Sequence, residues 1–126
     1  MAKGSLVSVV DDDESVRESL PDLIRVFGHE AKAFSSAAEF LASERLDQIQ
    51  CLVLDIAMPG MSGIELQREL ARQGWKIPIV FITAHGDEEV RRCLRQSGTV
   101  ECLLKPFTDT ALLDALNAVF RSGSPS

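Results

Sequence analysis

Short, mostly apolar runs alternating with amphipathic stretches from one end to the other constrain this chain more than any other feature. Leu6-Val7-Ser8-Val9-Val10, Cys51-Leu52-Val53-Leu54, Ile79-Val80-Phe81-Ile82 and Cys102-Leu103-Leu104 are runs of this kind. Their length and near-continuous hydrophobicity predict strands covered on both faces. Residues 30–34 form a weaker run that carries Lys32, which suits the edge of a sheet. Between the runs lie helical patterns. Val16, Leu20, Leu23, Ile24 and Phe27 fall on one stripe, with Gly28 as a stop. Pro21 lies inside that stripe and predicts a kink, because it removes one backbone donor. Ser36 is placed to cap a second helix reaching about Arg45. A third helix is expected from Ser62 to Gln73, with Gly63, Leu66 and Leu70 facing inward, and a fourth from about Asp87 to Gln96. The last, capped by Thr108, carries Leu112, Leu113, Leu116, Val119 and Phe120. Five strands alternating with five helices predict an open α/β fold with a parallel sheet between two helical layers.

Composition narrows the function classes. A chain of 126 residues with 45% hydrophobic and 25% charged residues fits one globular domain. Its net charge of −6 argues against a nucleic-acid or anionic-membrane surface. No apolar run approaches a membrane span. Cys51, Cys93 and Cys102 are odd in number and lack metal-ligand spacing, which fits a reduced, cytoplasmic protein. Met1 to Ser5 is followed by no long apolar stretch, so no signal peptide is expected. The segment Ser122-Gly123-Ser124-Pro125-Ser126 reads as a linker or tail after a domain over residues 1–121.

What terminates each apolar run carries the chemistry. Val10 is followed by Asp11, Asp12 and Asp13, Leu54 by Asp55, Ile82 by Thr83 and Leu104 by Lys105. Open parallel sheets bind ligands outside the carboxyl ends of their strands, so these side chains are expected at one edge. Two acids from the first strand end plus Asp55, against Lys105, leave a formal excess of negative charge. Without a cation, at least one such carboxylate would hold its proton to a raised pKa. A hard divalent cation with oxygen ligands resolves the repulsion, and few protein ligands with several waters suits Mg²⁺. A phosphoryl group added to Asp55 would then be bridged by the metal, paired by Lys105 and hydrogen-bonded by Thr83. Nucleotide binding is disfavoured, since no glycine-rich phosphate loop follows the first strand.

The segments Val9-Val10-Asp11-Asp12-Asp13, Leu54-Asp55-Ile56-Ala57-Met58-Pro59-Gly60-Met61-Ser62-Gly63, Thr83-Ala84 and Lys105-Pro106-Phe107 together resemble the receiver domain of bacterial two-component response regulators. They are similar to receivers that precede a LuxR-type helix-turn-helix domain, the nitrogen-fixation regulator-like group. The resemblance covers about residues 5–121 and implies a doubly wound (βα)5 flavodoxin-like sandwich with strand order 2-1-3-4-5. It implies Asp55 as phosphoacceptor, and Mg²⁺ bound by Asp12 directly, Asp11 largely through water, Asp55 and the backbone carbonyl of Ala57. Thr83 would be the switch hydroxyl and Lys105 the phosphoryl-sensing cation, before a cis bond to Pro106. The implied partner is a histidine kinase or histidine phosphotransfer protein docking near the first helix. Homodimerisation would use the face of the fourth helix, fifth strand and fifth helix, with no DNA contact by this domain itself. Catalysis would be limited to self-phosphorylation and slow autodephosphorylation.

Other readings are weaker. A haloacid-dehalogenase-type phosphatase also uses Asp, Ser/Thr and Lys at strand ends, but this chain lacks a cap segment and that class's first-strand motif. A pseudo-receiver that only binds protein would lack acids or the lysine, and none is missing. Asp13 reads as a helix cap, Met58, Pro59 and Gly63 as loop-shaping residues, His29 as a turn residue and Trp75 as a loop aromatic. His85 is placed to border the pocket mouth. One departure from the family pattern is Cys102, three residues before Lys105, where receivers usually carry an aromatic ring. A thiol's rotamers differ little in exposed area, so the signal is expected to rest on Thr83 and backbone motion.

Overall fold

The computed structural model describes residues 6–43, 46–83, 101–105 and 107–122. Five strands are present: β1 (Leu6–Val10), β2 (Glu30–Phe34), β3 (Ile49–Asp55), β4 (Ile79–Thr83) and β5 (Glu101–Leu104). All neighbours pair in parallel, in the order β2-β1-β3-β4-β5. The helices among the described residues are α1 (Glu14–Val26), α2 (Ala37–Leu41), α3 (Gly63–Arg72) and α4 (Asp109–Ser122), with a 3₁₀ turn at Leu46–Gln48. The helix expected from about Asp87 to Gln96, with Cys93 and His85, lies outside the described residues, as does Pro106.

The period-two alternation of the strands sorts the core into two layers. Leu6, Val10, Leu52, Leu54, Ile79 and Phe81 bury against Phe40 of α2 and Leu66 and Leu70 of α3. Val7, Val9, Cys51, Val53, Val80 and Ile82 bury against Leu20 and Ile24 of α1 and Leu112, Leu116 and Val119 of α4. The sheet is therefore the middle layer of three, as a doubly wound fold requires. Phe40, Phe81, Leu52 and Leu116 are among the largest fully buried side chains, each worth roughly 1.5–3 kcal/mol relative to exposure. The edge position of β2 follows from its sequence: Glu30 and Lys32 are exposed while Phe34 is buried.

Local signals explain the element ends. Asp13 caps α1, its side chain accepting from the Ser15 backbone N–H at 2.9 Å. The helix passes through a buried Pro21 as one element and ends at Gly28, which adopts φ +95°. There Gly28 N–H donates to Arg25 O and His29 N–H to Ile24 O, the double bond that a left-handed glycine permits. The second helix is shorter than the sequence suggests, closing at Leu41 instead of about Arg45. The Ser43 N–H turns back to Phe40 O at 3.0 Å, a tight three-residue closure that stops propagation once Ala37 and Phe40 are buried. Strand β3 starts at Ile49, two residues before the apolar run. The exposed Gln50 beside buried Ile49 and Cys51 hides that start from a hydrophobicity reading. No helix among the described residues is long and apolar enough to cross a membrane.

Candidate functional site

The carboxyl ends of β1, β3, β4 and β5 converge, as expected for this topology. Three backbone bonds extend the ladders there, the first tying β1 to β2, the second β3 to β4 and the third β5 to β4. Asp11 N–H donates to Phe34 O at 3.1 Å, Ile56 N–H to Ile82 O at 3.0 Å, and Lys105 N–H to Thr83 O at 2.8 Å. The side chains at this edge are therefore carried by the rigid sheet more than by free loops.

Asp11, Asp55 and Thr83 are buried, against solvent exposures of 0%, 4% and 2%, while Asp12 is exposed at the rim. Asp11, Asp12 and Asp55 each offer an oxygen, and these oxygens lie within 4.8 Å of one another. Lys105 Nζ lies 2.9 Å from Asp11 Oδ2 and 3.8 Å from Asp55 Oδ2. The shorter contact is an ion pair by distance, but it is not aligned as a hydrogen bond. Asp11 Oδ2 is consequently a buried oxygen without a hydrogen-bond partner. Asp55 Oδ1 accepts from the Ala57 N–H at 3.3 Å, and Ala57 itself is exposed.

Burial, then the charge of Asp11, pushes the Asp55 carboxyl up from an ordinary 3.8 to about 7, against the opposing pull of Lys105. Burial works against the Lys105 ammonium, but its pairing with Asp11 and the charge of Asp55 outweigh that and raise its pKa. Asp13 goes the other way, its carboxyl lowered chiefly by the Ser15 hydroxyl and backbone N–H. That separates a helix-capping acid from the clustered ones. Three carboxylates share one ammonium, which lies close to the buried Asp11 Oδ2 and farther from Asp55, and that excess of negative charge fits a hard divalent cation. The spread of the oxygens is comparable to the roughly 4–5 Å across an octahedral Mg²⁺ or a Ca²⁺ shell.

The loop after β3 is held by close contact. Gly63, first residue of α3, donates its N–H to Ile56 O at 2.9 Å. A Cβ built at Gly63 would meet the Asp55 carbonyl oxygen at 2.4 Å, so only glycine lets α3 start this close to the acid's own backbone. Ser62 and Glu65 form a capping box that fixes the same turn, and Met58 is buried in the core beneath it.

Asp11, Asp12, Asp55, Thr83 and Lys105 lie at this edge of the sheet, with Ala57 in the loop after β3, while His85 lies outside the described residues. One was missed: Arg17 Nη1 donates to Asp11 O at 3.0 Å from the second turn of α1. Two others sit in the turn and loop expected of them and also make core contacts. Trp75, in its loop, packs partly buried against the α2–α3 core. His29 stacks on Phe120 with ring centroids 4.8 Å apart, and burial lowers its pKa. A groove of about 580 Å³ runs along α1 to the start of α4, lined by Val16, Leu20, Leu23, Lys105 and Phe107.

Comparison with known proteins agrees with this fold. Residues 7–117 match the family model of the response regulator receiver domain. Nodulation protein W of Bradyrhizobium diazoefficiens is 49% identical over 114 residues, which are 90% of this chain and 50% of that protein. The transcriptional regulatory protein FixJ of Rhizobium meliloti is 39% identical over 110 residues, 87% of this chain and 54% of FixJ. The chain thus spans about half the length of these curated relatives. Among solved structures, the response regulator StyR superposes with a TM-score of 0.86 at 50% identity, covering 96% of this chain and 61% of StyR. The structure of FixJ-N superposes with a TM-score of 0.85 at 34% identity, covering 99% of this chain and 100% of that one.

Proposed function

Since this chain belongs to the response regulator receiver domain family, we propose that it is a phosphorylation-dependent switch whose phosphoacceptor is Asp55. The observation that carries the reading is the meeting of a buried Asp55, a buried Asp11 and Lys105 at one sheet edge. That set matches phosphoryl transfer, which needs positioning and charge neutralisation more than covalent assistance.

The donor is a phosphohistidine on a histidine kinase or histidine phosphotransfer protein. An Asp55 carboxylate oxygen forms the new O–P bond as the P–N bond breaks, and the imidazole leaves with its electron pair. Lys105, already between Asp11 and Asp55, pairs with the phosphoryl oxygens, and the Thr83 hydroxyl donates to one of them. Asp11, Asp12, Asp55 and the Ala57 backbone carbonyl are the groups that would hold Mg²⁺. The ion, when bound, supplies the positive charge that the three carboxylates and a phosphoryl group lack. The groove along α1, apolar and open beside Lys105, supports docking of the donor there.

Turnover is confined to self-phosphorylation and slow autodephosphorylation, so the domain is a timer in the cytoplasm and not a metabolic enzyme. Phosphorylation shifts a pre-existing equilibrium at the face made by β5, α4 and the helix expected over about residues 87–96. Homodimerisation through that face, and control of a DNA-binding output domain outside this chain, complete the reading. Intact-mass analysis after incubation with acetyl phosphate and Mg²⁺ tests it. One metal-dependent phosphoryl adduct is expected on the wild type and none on Asp55→Asn. No adduct on the wild type, or an adduct that survives the substitution, rejects Asp55 as acceptor.

A further inference from the structure

Asp11 is the first residue beyond β1, and its main chain is held as firmly as its side chain. Its N–H donates to Phe34 O at 3.1 Å, and its Oδ1 accepts from the Asp13 N–H at 2.9 Å. Its carbonyl lies past the end of the sheet ladder, and there Arg17 Nη1 donates to it at 3.0 Å. Arg17 projects from a fixed platform, since Val16 beside it and Leu20 one turn on pack into the α1–α4 core. Its guanidinium is part-buried, and nothing in the transfer chemistry described above uses it.

We propose that Arg17 is a positioning residue of the cation site: its guanidinium clamps the β1–α1 loop so that Asp11 and Asp12 present their carboxylates in register with Asp55. The inference rests on the reading of that cluster as the cation site. Two effects of Arg17 on a bound cation have opposite signs. As a positive charge beside three carboxylates it disfavours a second cation. As a clamp it pre-pays the ordering of two ligands on one loop. If the clamp dominates, removing the charge weakens cation binding, which charge alone cannot produce.

The test is calorimetric titration of the unphosphorylated chain with Mg²⁺ alone, for wild type, Arg17→Met and Arg17→Lys, alongside melting curves in EDTA. Met keeps the apolar stem and removes charge and donors together. Lys keeps the charge and N–H donors but loses the planar fork. Arg17→Met should bind Mg²⁺ about ten-fold more weakly, the low end for a residue supporting a metal ligand. Arg17→Lys should fall between, roughly three-fold weaker than wild type. A Met variant that binds as tightly as the wild type, or more tightly, overturns the proposal. Should Met fail to fold in the melting control, the Lys variant decides: unchanged affinity overturns, weakened affinity supports. A wild type that takes up no Mg²⁺ sinks the cation-site reading itself, and the clamp with it.

Discussion

The raised pKa of Asp55 makes the metal-free domain less stable where that carboxyl is charged, and Asp55→Asn should reveal by how much. In the unfolded chain the carboxyl titrates near its ordinary 3.8, and in the fold near 7. The folded state therefore binds the proton more tightly. That contribution is fully present below about pH 4, declines as pH rises between the two values, and is gone above about pH 7. At 1.36 kcal/mol per pH unit the gap corresponds to a ceiling of about 4 kcal/mol. Side-chain relaxation and water at the rim reduce the effective field, so we expect about 2 kcal/mol. Asparagine fills the same volume, can accept from the Ala57 N–H through its amide oxygen, and carries no charge to repel Asp11. In EDTA at pH 8 Asp55→Asn should melt about 6–10 °C above the wild type, at roughly 3–5 °C per kcal/mol for a domain of this size. The difference should shrink toward zero near pH 4.5, and saturating Mg²⁺ should also shrink it by stabilising the wild type. Thermal melts across pH 4.5–8.5, with and without Mg²⁺, measure all three arms. A wild type and an Asp55→Asn variant with parallel pH profiles would refute the claim that Asp55 is held against its charge.

Gly63→Ala forces a methyl group to within 2.4 Å of the Asp55 carbonyl oxygen. Urea unfolding should show a loss of about 2–3 kcal/mol, as overpacking against backbone cannot relax cheaply, with slower acceptance of phosphoryl from acetyl phosphate. Lys105→Met leaves the buried Asp11 and Asp55 without their shared cation. At pH 8 without metal it should destabilise by about 2–3 kcal/mol yet tighten Mg²⁺ binding in a calorimetric titration. Unchanged stability would show that the ion pairs are not felt. Cys51, buried in β3 with its thiol pushed up to about 12, should resist iodoacetamide at pH 8 in the native state and react once urea unfolds the domain. Peptide mapping of the alkylated positions decides it.

The sheet edge was legible because each strand announces its end by a switch from apolar to ionisable residues. Val10 to Asp11, Leu54 to Asp55 and Leu104 to Lys105 mark the point where the chain leaves the core. Parallel topology then gathers those points without any further information. What stayed hidden was whatever depends on contact between distant backbones. The Arg17 bond to Asp11 O leaves no periodic trace, since Arg17 sits among polar neighbours on a helix flank. The need for glycine at position 63 comes from an oxygen eight residues upstream. The early stop of α2 rests on a single turn closing at Ser43, which helix propensity does not register. Trp75 is the loop aromatic that its flanks Gly74 and Lys76 suggest, and its ring also covers the core, because a loop can bury a side chain while its backbone stays solvated.

The same backbone bonds that hide from sequence explain how one charge at Asp55 can be read elsewhere. Ile56 N–H to Ile82 O joins the end of β3 to β4, and Lys105 N–H to Thr83 O joins β4 to β5. Asp55, Thr83 and Lys105 are thus consecutive stations along three adjacent strand ends, each tied to the next by main chain. A phosphoryl group on Asp55 would itself carry a charge of about −1.5 to −2 and three acceptor oxygens, in place of the carboxylate's single charge. Lys105, only partly exposed and now paired chiefly with Asp11, must then choose between Asp11 and the new oxygens, and Thr83 is the hydroxyl on the strand between them. Because the strands themselves are locked in two-sided cores, the response is confined to what lies beyond their ends. On the proposed function, the surface it would change is the one next to β4 and β5, the side of the sheet away from the β2 edge.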